Sequence, residues 1–368
     1  MIIGIDCRTL SGQMNGVNRY LKNLLSTLSE IDAKNKYILF SDKEFLNNVN
    51  LGDNFKKEIL RNKSNLLWEQ FILPKFLNDQ KVDIFHCPHN YGVPCAKRWK
   101  VVLTLYDIIP YKFPNFWKNR SKVLRFMYKL SLNNAISKAD KIIVVSQSSK
   151  KDIINTFRLS ERIISVIPGA VDARFNTHNP SKGKNSENFS SDKDYILHIG
   201  GLGFNKNTET VLLVYENLKR KYNFKHKLLI VGKKGWFSKE ILKKSELIEG
   251  VVFTGYVPDE KMPLLYSGAT VFLYLSLYEG FGFPVLEAMA CGVPVVVSKN
   301  SSLPEVAGNA GLYVDSCNIE DICKKILLVL NDVGLRSQLI SKGLERTKEF
   351  SWDLAASRTL KVYEEVMN

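Results

Sequence analysis

Two glutamates and three glycines crowd into one short stretch, Tyr278 to Ser298, which reads YEGFGFPVLEAMACGVPVVVS. Gly280 and Gly282 would let a ligand approach the backbone closely, Pro284 suits the first turn of a helix, and VLEAMAC can continue that helix. After a strand of a parallel sheet, such a helix start presents unpaired amides near Val285 and Leu286, with the positive end of the helix dipole behind them. That is a diphosphate site without a lysine loop. Glu279 before the turn and Glu287 one turn into the helix would then reach the sugar side and the ribose side of the diphosphate, because carboxylates accept hydrogen bonds from vicinal hydroxyls. The same residues also read as a glycine-bearing strand-to-helix turn with two solvated glutamates. Paired glycosidase carboxylates fit less well, since both arise from one loop and helix and not from opposite walls around a sugar.

Elements able to hold this segment recur along the chain. IIGID, KYILF, VDIFH, KVVLTLYD and KIIVVSQ are apolar runs of the parallel-strand kind, separated by loop or helical sequence. A second series follows from Tyr195: YILHIGGLG, KLLIVG, VVFTGYV, TVFLYLS and VPVVVS. Strands alternating with helices predict an α/β protein with two doubly wound sheets in tandem. Residues 176–194 (NTHNPSKGKNSENFSSDKD) hold almost no large apolar side chains and read as a linker between a domain of residues 1–175 and one of residues 195–350. Residues 351–368 space Trp352, Ala356, Leu360, Tyr363 and Met367 at helical steps, predicting a terminal amphipathic helix that crosses back to the first domain.

At 368 residues the chain exceeds one ordinary core, and with 45% hydrophobic and 24% charged residues both halves can fold. The start, MIIGIDCRTL, has no basic segment followed by a long apolar one, and no window is apolar enough to span a membrane, so a cytoplasmic protein is expected. Six cysteines without paired spacing read as reduced thiols and not as a metal or disulfide framework. The net charge of +15 favours an anionic partner. Nucleic acid fits poorly, since zinc spacing, an RNP-like strand and a long basic tail are all missing. Lys118, Lys122, Arg125 and Lys129 follow helical steps beside Val123, Met127 and Leu130, which suits either an anionic membrane surface or a solvated helix packed by that apolar stripe. His86 and His89 in FHCPHNYG follow a strand and read as acceptor-lining or as buried structural histidines. Asp192 and Asp194 spell a DxD, but they lie in the linker and are set aside as metal ligands.

The segment EGFGFPVLE resembles the donor-site signature of retaining family-4 glycosyltransferases of the GT-B fold. The similarity extends in order through GVNRYLKNLL, TLYDIIP, VVSQSSKKDII, VIPGAVDARF, HIGGLGFNKN, FTGYVPDEKMPLLYSGA and SSLPEVAGNAGLYVD. It implies two Rossmann-like domains facing a central cleft. It also implies transfer of a sugar from a nucleoside diphosphate sugar, a co-substrate, to a glycan or lipid-linked glycan. That transfer would retain the anomeric configuration and need no cofactor or metal. Bacterial surface-polysaccharide mannosyltransferase-like members make GDP-mannose the first donor to consider. By the same resemblance Glu279 contacts the donor sugar, Glu287 the ribose, and Gly282, Phe283, Pro284, Val285 and Leu286 the diphosphate. Val257 meets the nucleobase through its backbone. Gly16, in the loop before the first long helix, and Gly201, in HIGGLG, also match donor-site positions, whereas Arg19 could equally be a solvated helix residue.

Lys206 matches a lysine that neutralises the diphosphate and would stabilise the leaving group. The chain departs from the pattern at Asn205, where relatives carry arginine, and Lys233 or Lys234 could substitute for the missing cation. It departs again at Tyr106, where relatives carry histidine. Tyrosine can hydrogen-bond there but cannot act as a general base near neutral pH without a large pKa shift, which leaves Asp107 as the ionisable neighbour. These departures keep a catalytically weak nucleotide-sugar-binding subunit in view, and a sugar-nucleotide epimerase or phosphorylase on the same fold is a second alternative.

Overall fold

The computed structural model describes the chain apart from residues 13–15, 46–48, 50, 62–63, 119, 178–193, 201–203 and 233–237. It divides into two compact units, Met1–Gly169 with Ser351–Asn368, and Ala170–Phe350. The first boundary therefore falls at Gly169 and not at residue 175, because Phe175 is buried edge-on against Tyr266 and Arg174 lies 3.6 Å from Asp259. Most of the linker, with Asp192, Gly201, Lys233 and Lys234, lies outside the described residues.

The N-terminal unit is a seven-stranded parallel sheet of β1 (Ile2–Asp6), β2 (Lys36–Ser41), β3 (Phe55–Ile59), β4 (Ile84–Cys87), β5 (Lys100–Leu105), β6 (Lys141–Val144) and β7 (Ile164–Val166), in the order β3-β2-β1-β4-β5-β6-β7. The C-terminal unit contains β8 (Tyr195–Ile199), β9 (Lys227–Val231), β10 (Val251–Gly255), β11 (Val271–Tyr274), β12 (Val295–Ser298) and β13 (Gly311–Val314), in the order β10-β9-β8-β11-β12-β13. Each sheet reverses direction once, between β1 and β4 and between β8 and β11. In doubly wound folds a ligand binds outside the carboxyl ends of the strands at that reversal. Apolar side chains on both strand faces make this possible: Ile3, Phe85, Leu103 and Ile142 in the first unit, and Leu228, Ile230, Leu273 and Val296 in the second, are all fully or almost fully buried.

The terminal helix Trp352–Met367 belongs to the N-terminal unit. Trp352 meets Tyr20 edge-on at 5.5 Å, and the Tyr363 hydroxyl lies 2.7 Å from His86 Nδ1. Its buried face is Ala355, Ala356, Thr359, Val362, Tyr363 and Val366, rotated from the expected stripe so that Met367 is exposed. The small residues Ala355 and Ala356 allow close approach to the helix Gly16–Ile31, which selects that face. Among the described residues no helix is long and apolar enough to cross a membrane.

Candidate functional site

At the β8/β11 reversal the chain brings together residues far apart in sequence. Lys206 follows β8, in the short turn Phe204–Lys206; Tyr274 ends β11, and Glu279 lies in the loop beyond it. Lys206 Nζ donates to Glu279 Oε1 at 2.7 Å and to the Tyr274 hydroxyl at 2.7 Å, while the Tyr274 hydroxyl donates to the same carboxylate oxygen at 3.0 Å. Burial alone would lower the lysine's pKa, but the adjacent carboxylate and phenol more than offset it and hold the ammonium charged. Burial, with the Glu279 charge, raises the Tyr274 pKa, so its hydroxyl keeps its proton. The route of Lys206 depends on Gly200: at φ +132°, a Cβ there would sit 2.7 Å from the lysine Cδ.

The loop carrying Glu279 is held through its backbone. The Glu279 amide donates to Ser301 Oγ at 2.9 Å, and Ser302 Oγ donates to the carbonyls of Glu279 and Phe281. Asn205, read from sequence as a missing cation, is a latch: its side chain donates to the Tyr278 carbonyl, and its own carbonyl accepts from the Leu277 amide at 2.8 Å. Gly282, at φ +120°, starts the helix Phe283–Ala290, with Pro284 in the first turn.

Two expectations change here. Glu279 and Glu287 are not solvated; they are 9% and 2% exposed, and Glu287 accepts a 2.6 Å hydrogen bond from the buried Tyr266 hydroxyl. Nor are the amides of Val285 and Leu286 unpaired, since both donate to the Gly282 carbonyl, at 3.0 and 3.4 Å. The Leu286 bond is the first i to i−4 bond that any helix makes, and the same carbonyl also takes the Val285 amide, a donor that a regular helix start leaves open. Val257 is buried just beyond β10.

The remaining candidates belong to the N-terminal unit. Gly16 opens the helix Gly16–Ile31 and is exposed. Tyr106 follows β5; its hydroxyl is enclosed without a hydrogen-bond partner among the described residues, its ring stands edge-on to Tyr20, and burial raises its pKa. Asp107 accepts from the Ile109 amide at 3.0 Å and so shapes the turn after β5. His86 is fully buried with both ring nitrogens engaged, by Tyr363 and by Thr104 Oγ1 at 2.7 Å each, which makes it structural. His89 lies at the β1/β4 reversal, 3.3 Å from Asp6. Asp6, Cys87 and His89 place ligand atoms within 4.8 Å of one another, but the Arg8 guanidinium already holds both Asp6 oxygens and pairs with Glu69 at 2.8 Å. A cation there would have to displace it.

Sequence reasoning overlooked Gly200, Tyr274, Tyr266 and the Ser301–Ser302 pair. The serines stand in SSLPEVAGNAGLYVD, a motif whose place beside Glu279 only the fold reveals.

Comparison with known proteins first sets the class of fold. The chain superimposes on HepE of Anabaena, solved with UDP-glucose, at a TM-score of 0.78 with 16% identity over 99% of both chains. It superimposes on the sucrose-phosphate synthase of Thermosynechococcus elongatus at 0.76 with 19% identity, covering 100% of this chain and 99% of that one. The fold is GT-B. The family follows from sequence: residues 14–175 match the family described as Glycosyltransferase Family 4, and residues 181–346 the one described as Glycosyl transferases group 1. The O-antigen chain mannosyltransferase B of Escherichia coli is 30% identical over 95% of this chain and 96% of its own. The O-antigen chain mannosyltransferase RfbU of Salmonella typhimurium is 27% identical over 66% of this chain and 63% of its own. The chain belongs to the family-4 glycosyltransferases.

Proposed function

We propose that this glycosyltransferase moves a sugar, GDP-mannose being the first donor to test, from a nucleoside diphosphate to a hydroxyl of a glycan or lipid-linked glycan at the cytoplasmic face of the membrane, in the synthesis of cell-surface polysaccharide. The anomeric configuration is retained and no metal is needed. The observation that carries this reading is the buried Lys206–Glu279 pair at the β8/β11 reversal, beside the glycine-opened helix. An ammonium fixed there stabilises charge on the departing diphosphate as the anomeric C–O bond breaks, and the carboxylate accepts from donor hydroxyls. The acceptor oxygen forms the new bond, and its proton passes to the released phosphate. Relatives named as O-antigen mannosyltransferases support both the donor and the acceptor class.

A thermal-shift screen of GDP, UDP, TDP and their sugars identifies the donor, since the preferred nucleotide stabilises the fold by mass action. Nucleotide release and product anomer are then followed in the wild type and in Glu279→Ala and Glu287→Ala. Loss of turnover in both variants is expected. Full turnover in both removes the site assignment. Transfer that depends on inorganic phosphate, or a converted sugar nucleotide without release of diphosphate, replaces the reaction by that of a phosphorylase or an epimerase. Tight donor binding with no turnover makes the chain a binding subunit.

A further inference from the structure

Tyr274 is the fixed member of the cluster at the β8/β11 reversal. Its ring is fully buried, stacked on Phe272 at 5.5 Å and tilted against His198 at 6.3 Å. His198 is pinned in turn, with one ring nitrogen 3.0 Å from the Leu273 carbonyl and the other 3.2 Å from Thr208 Oγ1. With its ring held by both neighbours, the Tyr274 hydroxyl is a fixed point, whereas Lys206 and Glu279 end long flexible side chains. The backbone leading to Glu279 is also held. Asn207 donates to the Leu275 carbonyl at 3.2 Å, Asn205 binds the Leu277 amide and the Tyr278 carbonyl, and Ser301 binds the Glu279 amide. What remains to be set is where the ammonium and the carboxylate point.

Their hydrogen bonds are unevenly spread. Both contacts to the carboxylate, from Lys206 Nζ at 2.7 Å and from the Tyr274 hydroxyl at 3.0 Å, end on Oε1. Among the described residues Oε2 accepts none. Lys206 uses two of its three N–H groups, one on Oε1 and one on the Tyr274 oxygen at 2.7 Å. The pair is therefore open, with one carboxylate oxygen and one ammonium proton left over. Without the phenol, the ammonium would turn its second N–H onto Oε2, and the ion pair would close on itself. A closed pair still leaves one N–H for a phosphate but no oxygen for a sugar.

We propose that Tyr274 is a positioning residue for recognition of the donor sugar: its hydroxyl, bound to Lys206 and to Glu279 Oε1 at once, keeps Oε2 free to accept from a hydroxyl of the transferred sugar. The inference rests on the reading of this reversal as the donor site, and adds which carboxylate oxygen meets the sugar and what holds it there. A free nucleoside diphosphate engages the ammonium alone, whereas a nucleotide sugar engages both groups. Tyr274 thus acts on the sugar and not on the nucleotide, and it acts through Glu279.

The test is calorimetric titration of the full chain with GDP and with GDP-mannose, or with the nucleotide and nucleotide sugar that the thermal-shift screen selects. Wild type, Tyr274→Phe, Glu279→Ala and the double variant are compared. Tyr274→Phe should bind GDP within about twofold of wild type and GDP-mannose about tenfold more weakly, as expected for one lost hydrogen bond to a charged acceptor. Its melting temperature should fall by only about 2–4 °C, the effect of one hydroxyl in a unit of this size. In the Glu279→Ala background the same substitution should change the ratio of the two affinities by less than about twofold, because the carboxylate it acts through is gone. An unchanged ratio in Tyr274→Phe overturns the proposal, and so does an equal weakening of both ligands, which a merely structural tyrosine would give. A ratio that falls as far in the Glu279→Ala background overturns it too, since the phenol would then touch the sugar itself. These three results leave the donor site standing; a wild type that binds neither ligand removes the donor site and the positioning role with it.

Discussion

Replacing Lys206 by Met removes one half of an ion pair whose side chains are only 20% and 11% exposed. Breaking a buried pair from one side costs about 3–5 kcal/mol, because the remaining charge stays buried without its partner. The lower end applies here, since the Tyr274 hydroxyl still donates to Glu279. About 3 kcal/mol corresponds to a fall in melting temperature of about 6–12 °C for a unit of this size. Calorimetry should therefore show a large loss in Lys206→Met and a recovery of at least half in Lys206→Met/Glu279→Gln, where no lone charge remains. Nucleotide titrations should move differently: Glu279→Gln releases the lysine's charge and tightens nucleoside diphosphate binding, and Lys206→Met weakens it. A shift below about 2 °C in Lys206→Met, or a double variant equal to the sum of the singles, refutes the coupling inferred from the 2.7 Å contact.

Gly200→Ala should destabilise the C-terminal unit by about 1–3 kcal/mol and depress turnover, because the new methyl meets Lys206 and forces a left-handed backbone on alanine; melting and nucleotide release check both, and a neutral variant would mean that the lysine has another route. Acid should destabilise the fold. Burial lowers the pKa of His86 to about 3 and of His89 and His198 to about 4, so above the unfolded value near 6.5 neither state binds the proton. As pH falls from there toward 4 the unfolded chain takes up protons that the folded chain refuses, and stability drops by roughly 1.4 kcal/mol per unit per histidine. Urea midpoints between pH 7 and pH 4.5 measure the slope; a flat profile would show that these rings protonate in place.

The amino-acid sequence by itself determined both doubly wound sheets and the donor-type segment Glu279–Glu287, because strands buried on both faces leave apolar runs and a glycine-opened helix leaves a local pattern. It did not reveal β3, β7 or β13. Each is an edge strand of its sheet, and FKKEI, ISV and GLYV are too short or too polar to stand out without the neighbour they pair with. Local pattern also failed at the amides of Val285 and Leu286, both of which donate to the Gly282 carbonyl. Tertiary structure alone decided which charges meet. Lys206, Tyr274, Glu279 and Ser301 come from segments that touch only because β8 and β11 are neighbours across the reversal of the sheet, and no spacing along the chain encodes that adjacency. The same holds for the helix Lys122–Lys138: its composition suited solvent or membrane equally, and only the packing of Leu132, Ala135 and Ile136 turned Val123, Phe126 and Met127 outward.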